Sequence, residues 1–166
     1  MSRLRCVIDA SVLIDFNSGG VLEYLFQLSV DWIISDFAME EIKEPAPDAL
    51  RAMGLQELEL SGQEVSKAIQ LREDYPNLSV YDIAHLLLAL REQAHLITSD
   101  QLLRSVAVSK GVRVHGTLWV LDELIRQNLL SEPVAGLALR KMLKAGRRLP
   151  SAECARRLKR WGVEPP

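Results

Sequence analysis

The chain has 166 residues, 48% of them hydrophobic, and a formal net charge of −2. These values fit one globular domain with a full core and room for a small appendage. No apolar run approaches the length of a membrane span, and Asp9 interrupts the apolar N-terminal stretch, so we expect neither a membrane segment nor a signal peptide. Cys6 and Cys154 lie far apart in the sequence, and Cys6 is within a predicted core strand. We therefore interpret both as reduced thiols of a cytoplasmic protein.

The first half of the chain alternates short apolar strands with helices. A strand at 4–8 ends at Asp9, and the helix that follows is broken by Asn-Ser-Gly-Gly at 17–20. Glu40 and Glu41 lie in a helix that Pro45 and Pro47 are expected to end. The further elements predicted in this half are a helix at 21–28, a strand at 32–34, the helix at 37–43, a short edge strand at 58–60 and a polar helix at 62–74.

Residues 78–100 form the stretch around which we expect the fold to be organised. Ser79 is of a type that caps helix N-termini, and Asp82 follows three residues later, at a capping-box position. Residues 83–90 are almost entirely apolar, which indicates a helix buried around most of its circumference. A short interior strand is predicted at 95–98, and Asp100 follows it.

The last third of the chain is mainly helical and ends in a basic tail. Between residues 140 and 160 there are nine lysines and arginines and a single acid, Glu153, so the rest of the chain must be acidic. The elements predicted here are a helix at 101–109, a strand at 112–115, and helices at 117–124, 132–146 and 151–162.

Strands that alternate with helices predict an α/β fold, with a central parallel sheet of four to five strands and helices on both faces. We expect residues 1–130 to form the main domain and residues 131–166 to form a basic helical extension packed on it. Right-handed crossovers bring the carboxyl ends of all the strands to one edge, where ligands bind in such folds. Asp9 and Asp100 lie at that edge.

Four carboxylates are candidates for a shared site: Asp9, Glu41, Asp82 and Asp100. Each alone has an ordinary explanation as a helix cap or a solvated side chain. Four carboxylates that converge would repel each other by about 4 kcal/mol per pair at an effective dielectric constant near 20, unless they protonate or bind a cation. Oxygen ligands select hard ions, so we expect Mg²⁺ or Mn²⁺ and phosphoryl chemistry.

Hydroxyl groups near these acids are candidates for supporting hydrogen bonds: Ser11, Thr98 and Ser99. His85 follows Asp82 by one helical turn, but its apolar surroundings favour a hydrogen-bonded core histidine over a metal ligand. His95 and His115 flank strands, and we interpret them as structural.

Four segments resemble the PIN-domain ribonucleases, including VapC-type toxins. They are VIDAS at Asp9, ISDFAMEEI at Glu41, LSVYDIAHLLLAL at Asp82 and LITSD at Asp100. The resemblance covers most of residues 4–125, and the helices from about residue 131 to 162 look like the extension of one PIN subfamily. Glu41 matches better than Glu40 because the family's glutamate directly precedes an apolar residue.

The resemblance implies a three-layer α/β/α PIN-like fold and a metal-dependent endoribonuclease that uses Mg²⁺ or Mn²⁺ held by Asp9, Glu41, Asp82 and Asp100. It also implies a homodimer, RNA as the substrate, and in toxin members a cognate antitoxin protein. The main alternative is a catalytically silent PIN-fold module that binds RNA or a protein partner. A flavodoxin-like phosphoryl acceptor ranks last, because no matching lysine constellation is present.

The basic tail has three interpretations. Its apolar residues can pack amphipathic helices onto the domain and leave the cations in solvent. Alternatively, the cations contact RNA phosphates and position the strand over the acidic site. In the third interpretation, the tail docks across a neighbouring subunit. The candidates for RNA binding are Arg147, Arg148, Arg156 and Arg157.

Overall fold

A computed structural model describes residues 2–166 as an α/β/α sandwich around a parallel sheet, which confirms the predicted fold class. The sheet has five strands in the order β3-β2-β1-β4-β5. Its strands are β1 (Leu4–Ile8), β2 (Val30–Ser35), β3 (Gln56–Leu58), β4 (His95–Ile97) and β5 (Val114–His115). Because β1 lies between β2 and β4, the residue that follows β1 is near the middle of the sheet's carboxyl edge.

Helices connect the strands and continue beyond the last one. They are α1 (Ala10–Ser18), α2 (Leu22–Leu25), α3 (Asp36–Glu41), α4 (Pro47–Met53), α5 (Gly62–Asp74), α6 (Val80–Glu92), α7 (Gln101–Ser109), α8 (Thr117–Arg126), α9 (Glu132–Lys144) and α10 (Ser151–Arg160). Within residues 2–166, no helix is long and apolar enough to cross a bilayer.

The sheet separates two hydrophobic cores, as strand periodicity requires. In β1, Cys6 and Ile8 belong to the core that α1, α2 and α8 cover, whereas Val7 belongs to the core beneath α5, α6 and α7. Trp32 and Ile33 divide in the same way in β2. Successive side chains point to opposite faces of a sheet, so a strand buried on both sides is apolar at consecutive positions.

The helical tail shares the first of these cores. Leu139 and Met142 of α9 and Leu158 of α10 are almost completely buried against the same apolar cluster as α1. Gly136 permits this close packing, because a Cβ at this position would lie 2.5 Å from Cγ2 of Val163. The extension is therefore part of the hydrophobic core rather than a separate unit.

Several element predictions differ from the structure. Pro47 begins helix α4 instead of only ending the helix before it, since proline is well suited to the first helical position. The helix predicted at 21–28 is a single turn, and the carbonyl of Leu25 at its end accepts the indole N–H of Trp32 at 3.0 Å. The predicted edge strand is displaced by two residues, to Gln56–Leu58.

The candidate acidic site

Asp9 stands at the N-cap position of α1, but its carboxylate does not cap the helix. Its Oδ2 instead accepts hydrogen bonds from the hydroxyls of Ser11, at 3.1 Å, and Thr98, at 2.9 Å. The backbone N–H of Asp9 donates to the carbonyl of Ile97, which ties the ends of β1 and β4 together. No donor within residues 2–166 bonds Oδ1, so half of this carboxylate is available to a ligand.

Asp82 and Asp100 have the capping roles that their sequence contexts suggested. The backbone N–H of Ser79 donates to Oδ2 of Asp82 at 3.0 Å, which completes a capping box at the start of α6. Oδ1 of Asp100 accepts from the backbone N–H of Leu103 at 2.8 Å. Thr98 joins two acids, because its Oγ1 donates to Asp9 and accepts from the N–H of Asp100 at 3.2 Å.

These three aspartates line one cleft of about 370 Å³ at the carboxyl edge of the sheet, here called the acidic cleft. Burial raises the pKa of Asp82, and the negative charges of Asp9 and Asp100 raise it further. The other residues that line the cleft are Ser11, Asp15, Ser99, Gly146, Arg147 and Arg148.

The acids are neighbours, but they do not form a closed coordination shell. In the part of the chain that the structure describes, no three His, Cys, Asp or Glu side chains are close enough together to hold one metal ion. Glu41, the fourth candidate, does not line the cleft. It is exposed at the end of α3, and its carboxylate raises the pKa of the Tyr81 phenol. The neighbouring Glu40 acts on Tyr81 only through its charge.

Asp15 also lines the acidic cleft, but it was not predicted from the sequence. Its side chain is 2% exposed, and both of its oxygens are bonded. Arg147 donates from Nε to Oδ1 at 2.6 Å, and Thr117 donates from Oγ1 to Oδ2 at 2.7 Å. Burial nevertheless raises the pKa of Asp15, since desolvation outweighs these bonds. The sequence signal for a buried acid was a carboxylate among the apolar residues of α1. That signal does not identify Arg147 and Thr117 as its partners.

The four tail arginines proposed to bind RNA have different surroundings. Arg147 is held by Asp15 and by the carbonyl of Ser11. Arg157 pairs with Asp122 at 2.7 Å and with Glu153 at 2.9 Å, and Arg156 pairs with Glu153 as well. Arg148 is exposed at the rim of the acidic cleft. Only Arg148 of the four makes no ion pair within residues 2–166.

The histidines have the structural surroundings that the sequence suggested. His85 is fully buried in α6, and its Nε2 lies 3.2 Å from the hydroxyl of Ser35. Burial lowers its pKa, which favours the neutral ring. His95 and His115 approach each other at 3.2 Å on neighbouring strands.

A protein-family model described as DUF3368, a PIN domain, matches residues 5–163. The chain belongs to the PIN-domain family. The match spans the tail as well as the sheet, and PIN domains are generally nucleases that typically use divalent metals. The fold of this chain is therefore nuclease-like.

Two other comparisons complete the findings. A solved structure of a PilT N-terminus domain protein from the hyperthermophilic archaeon Sulfolobus solfataricus P2 is similar to this PIN domain at 16% identity and a TM-score of 0.49. The similarity covers 72% of this chain and 92% of that one. The search of curated proteins finds no match.

Proposed function

We propose that this PIN domain is a metal-dependent endoribonuclease whose active site is the acidic cleft. The observation that carries the proposal is the environment of Asp9. A residue at an N-cap position ordinarily satisfies the helix with its side chain. Asp9 leaves that role, and hydroxyls from two different elements hold it in a cleft that Asp82 and Asp100 also line.

The chemistry of the donors fits a hard divalent ion. The three acids provide carboxylate oxygens only, which Mg²⁺ and Mn²⁺ prefer to nitrogen or sulfur. Asp9 and Asp100 each keep one oxygen that no donor within residues 2–166 bonds. In the structure the three acids line one cleft but are not close enough to hold one ion together, so Asp9, Asp82 and Asp100 would have to move closer to hold it. The ion, when bound, would supply charge neutralisation at the phosphodiester and activation of water.

The protein's own groups prepare the cleft for a cation. Burial raises the pKa of Asp82 and the negative charges of Asp9 and Asp100 add to that rise, so a positive charge between the carboxylates would relieve their repulsion. Ser11 and Thr98 fix the orientation of Asp9, in the way that hydrogen-bond partners orient metal ligands. Arg148 at the rim supplies a guanidinium that can hold an RNA phosphate beside the acids.

Glu41 does not line the acidic cleft in the structure, and its neighbour Glu40 offers a matched control for its role. Glu41→Gln and Glu40→Gln remove the same charge from adjacent positions of α3. If Glu41 reaches the cleft when a metal and RNA bind, cleavage falls in Glu41→Gln and not in Glu40→Gln. Equal activity of the two variants would remove Glu41 from the site.

The proposal is tested by incubating the purified chain with single-stranded RNA in Mg²⁺, in Mn²⁺ and in EDTA. We expect cleavage that needs the metal and is lost in Asp9→Asn and in Asp100→Asn. Asp48→Asn is the control, because its side chain is 97% exposed and lies outside the cleft. RNA binding without cleavage under any metal would instead favour the silent module. A toxin role predicts growth arrest on expression that Asp9→Asn abolishes.

We further propose that the protein is a homodimer. An apolar groove of about 640 Å³ is lined by Phe37, Leu60, Val65, Ala68, Ile69, Arg72, Glu73, Val80 and Tyr81. Ile69 is 63% exposed and Val80 is 46% exposed. Monomeric proteins rarely leave a contiguous apolar surface exposed to solvent. Arg72 and Glu73 provide one charge of each sign, so a second copy related by a two-fold axis would be complementary.

Analytical ultracentrifugation tests the dimer. We expect the wild-type chain to sediment as a dimer and Ile69→Glu to sediment as a folded monomer. Val108→Glu is the control, because Val108 is 62% exposed on α7 and lies outside the groove. A wild-type monomer at micromolar concentration would contradict this part of the proposal.

A further inference from the structure

A second groove lies directly beside the acidic cleft, on the β5 side of the sheet. Its volume is about 660 Å³, and Ser99 and Arg148 line both it and the acidic cleft. We call it the aromatic groove, after His115 and Trp119 in its wall. Its size is within the range of roughly 300–1,000 Å³ that is typical of ligand sites. A ligand extending from the acids past Arg148 would enter it.

The two aromatic side chains of the groove are already stacked on each other. The ring centroids of His115 and Trp119 are 3.9 Å apart, and their planes differ by 14°. His115 is further oriented by His95, whose Nδ1 lies 3.2 Å from its Nε2. Burial lowers the pKa of His115, and so do His95 and Arg104, which favours an uncharged ring. The groove thus contains two stacked aromatic rings that are both partly exposed.

Two guanidinium groups accompany this surface. Arg104 lies over the backbone of Gly116, where a Cβ would come within 3.0 Å of its Nη1, and Arg148 stands at the border with the acidic cleft. Neither forms an ion pair with a carboxylate within residues 2–166. Arg157, by contrast, is neutralised by Asp122 and Glu153. The free cations therefore lie next to the stacked rings.

We propose that the aromatic groove binds the unpaired nucleotide adjoining the scissile phosphate of single-stranded RNA, with its base against the His115–Trp119 stack and its phosphates against Arg148 and Arg104. The inference rests on the proposed function, since it assigns the substrate of the acidic cleft. Flat aromatic surfaces beside cations are how proteins bind single strands with little sequence preference. A base held in a duplex is stacked and paired, so it cannot reach the rings.

The test uses the full chain in EDTA, so that binding is measured without cleavage. The probe is a fluorescently labelled single-stranded RNA 12-mer, with a duplex of the same length in parallel. Trp119→Leu removes the aromatic ring. It keeps an apolar side chain at this position, where Trp119 also packs against the hydrophobic core. We expect it to weaken single-strand binding by about 5- to 150-fold, as loss of one stacked base does, and to leave duplex binding unchanged. Trp119→Phe should restore most of the affinity.

Charge and fluorescence provide separate measurements. Arg148→Gln should reduce the slope of log K against log salt by about 0.7 for each single-strand phosphate lost. Lys67→Gln, an exposed charge on α5 outside the groove, should leave affinity unchanged. Trp32 and Trp161 are buried, so quenching by RNA should come from Trp119 and disappear in Trp119→Leu.

The outcomes separate this inference from the proposed function. If Trp119→Phe, Trp119→Leu and Arg148→Gln all bind single-stranded RNA as the wild type does, the groove is not the subsite. Equal loss on single strand and duplex also overturns it. If the wild type binds through Trp119 but cleaves under no metal, the subsite is supported and the nuclease proposal fails. Arg148→Gln and the fluorescence of the wild type decide the question even if Trp119→Leu does not fold.

Discussion

Asp9 in the acidic cleft and Asp15 in the ion pair behind it belong to the same short stretch of chain, yet their carboxylates have opposite surroundings. Asp9 is partly exposed, and one of its oxygens accepts no hydrogen bond within residues 2–166. Asp15 is buried, and Thr117 and Arg147 occupy both of its oxygens. Each carboxylate has two side-chain donors, so the difference lies in whether the donors leave one oxygen free, as in Asp9, or bond both oxygens, as in Asp15.

The largest effect is expected from neutralising the acid that keeps a free oxygen. Asp9→Asn should reduce RNA cleavage by about 10²- to 10³-fold, since a bound ion contributes several kcal/mol to transition-state stabilisation. The free energy of unfolding should change little, because the substitution relieves repulsion between Asp9 and Asp82. The charge of Asp9 raises the pKa of Asp82, and that charge is lost in the variant. NMR titration should accordingly find a lower pKa for Asp82 in the variant. Unchanged cleavage would mean that Asp9 is not a ligand of the ion.

The opposite result is expected for the acid whose oxygens are both occupied. Asp15→Ala should destabilise the protein by about 1–3 kcal/mol, because it leaves the buried hydroxyl of Thr117 and the partly exposed guanidinium of Arg147 without their acceptor. Urea denaturation measures the effect, and Asp15→Ala/Arg147→Ala should recover part of the loss. Asp48→Ala breaks the pair with Arg51 on the surface, and it should have no measurable effect. A stable Asp15→Ala protein that no longer cleaves RNA would instead make Asp15 part of the active site.

Asp9 and Asp15 also differ in how far the sequence could predict them. Asp9 and Asp100 follow visible apolar strands, and a parallel sheet collects such ends at one edge, so their meeting was predictable. Asp82 was visible through its capping box with Ser79. Asp15 depends on Arg147, which is 132 residues away in sequence, and no local pattern indicates that pair. Side-chain partners that are distant in sequence are determined by tertiary packing, and the periodicity of the sequence does not predict that packing.

Glu41 illustrates a second limit. The sequence placed it in a helix after β2, and that helix exists as α3. Whether it reaches the cleft depends on where the short helix ends and which way its last turn faces, and element boundaries are the least certain part of a sequence-based prediction. In the structure it does not line the cleft, although its charge raises the pKa of Tyr81, the residue before Asp82.

A smaller effect is expected from the hydroxyl that links the two central acids. Thr98 is fully buried, donates to Asp9 and accepts from the N–H of Asp100. Thr98→Val keeps the shape but removes both bonds, and it should lower metal affinity or cleavage by about 10- to 100-fold. Thr98→Ser keeps the hydroxyl and should restore most of the activity. If the serine variant is as impaired as the valine variant, Thr98 acts through packing and not through orientation of Asp9.

The smallest effect concerns the histidine buried beneath the cleft. Burial lowers the pKa of His85, although the charges of Asp9 and Asp82 oppose this. Below the ordinary histidine pKa of 6.5, the unfolded chain takes up a proton that the folded chain excludes, so stability should fall as the pH drops through 6.5. His85→Gln should weaken this dependence. Between pH 7.5 and 5.5, the melting temperature of the variant should fall by about 2–4 °C less than that of the wild type. Asp9→Asn removes one of the charges that favour the imidazolium, so it should lower the pKa of His85 further, whereas Asp15→Asn should leave it unchanged. An NMR titration in which both variants shift His85 equally would show that the acidic cleft and the ion pair are not electrically distinct.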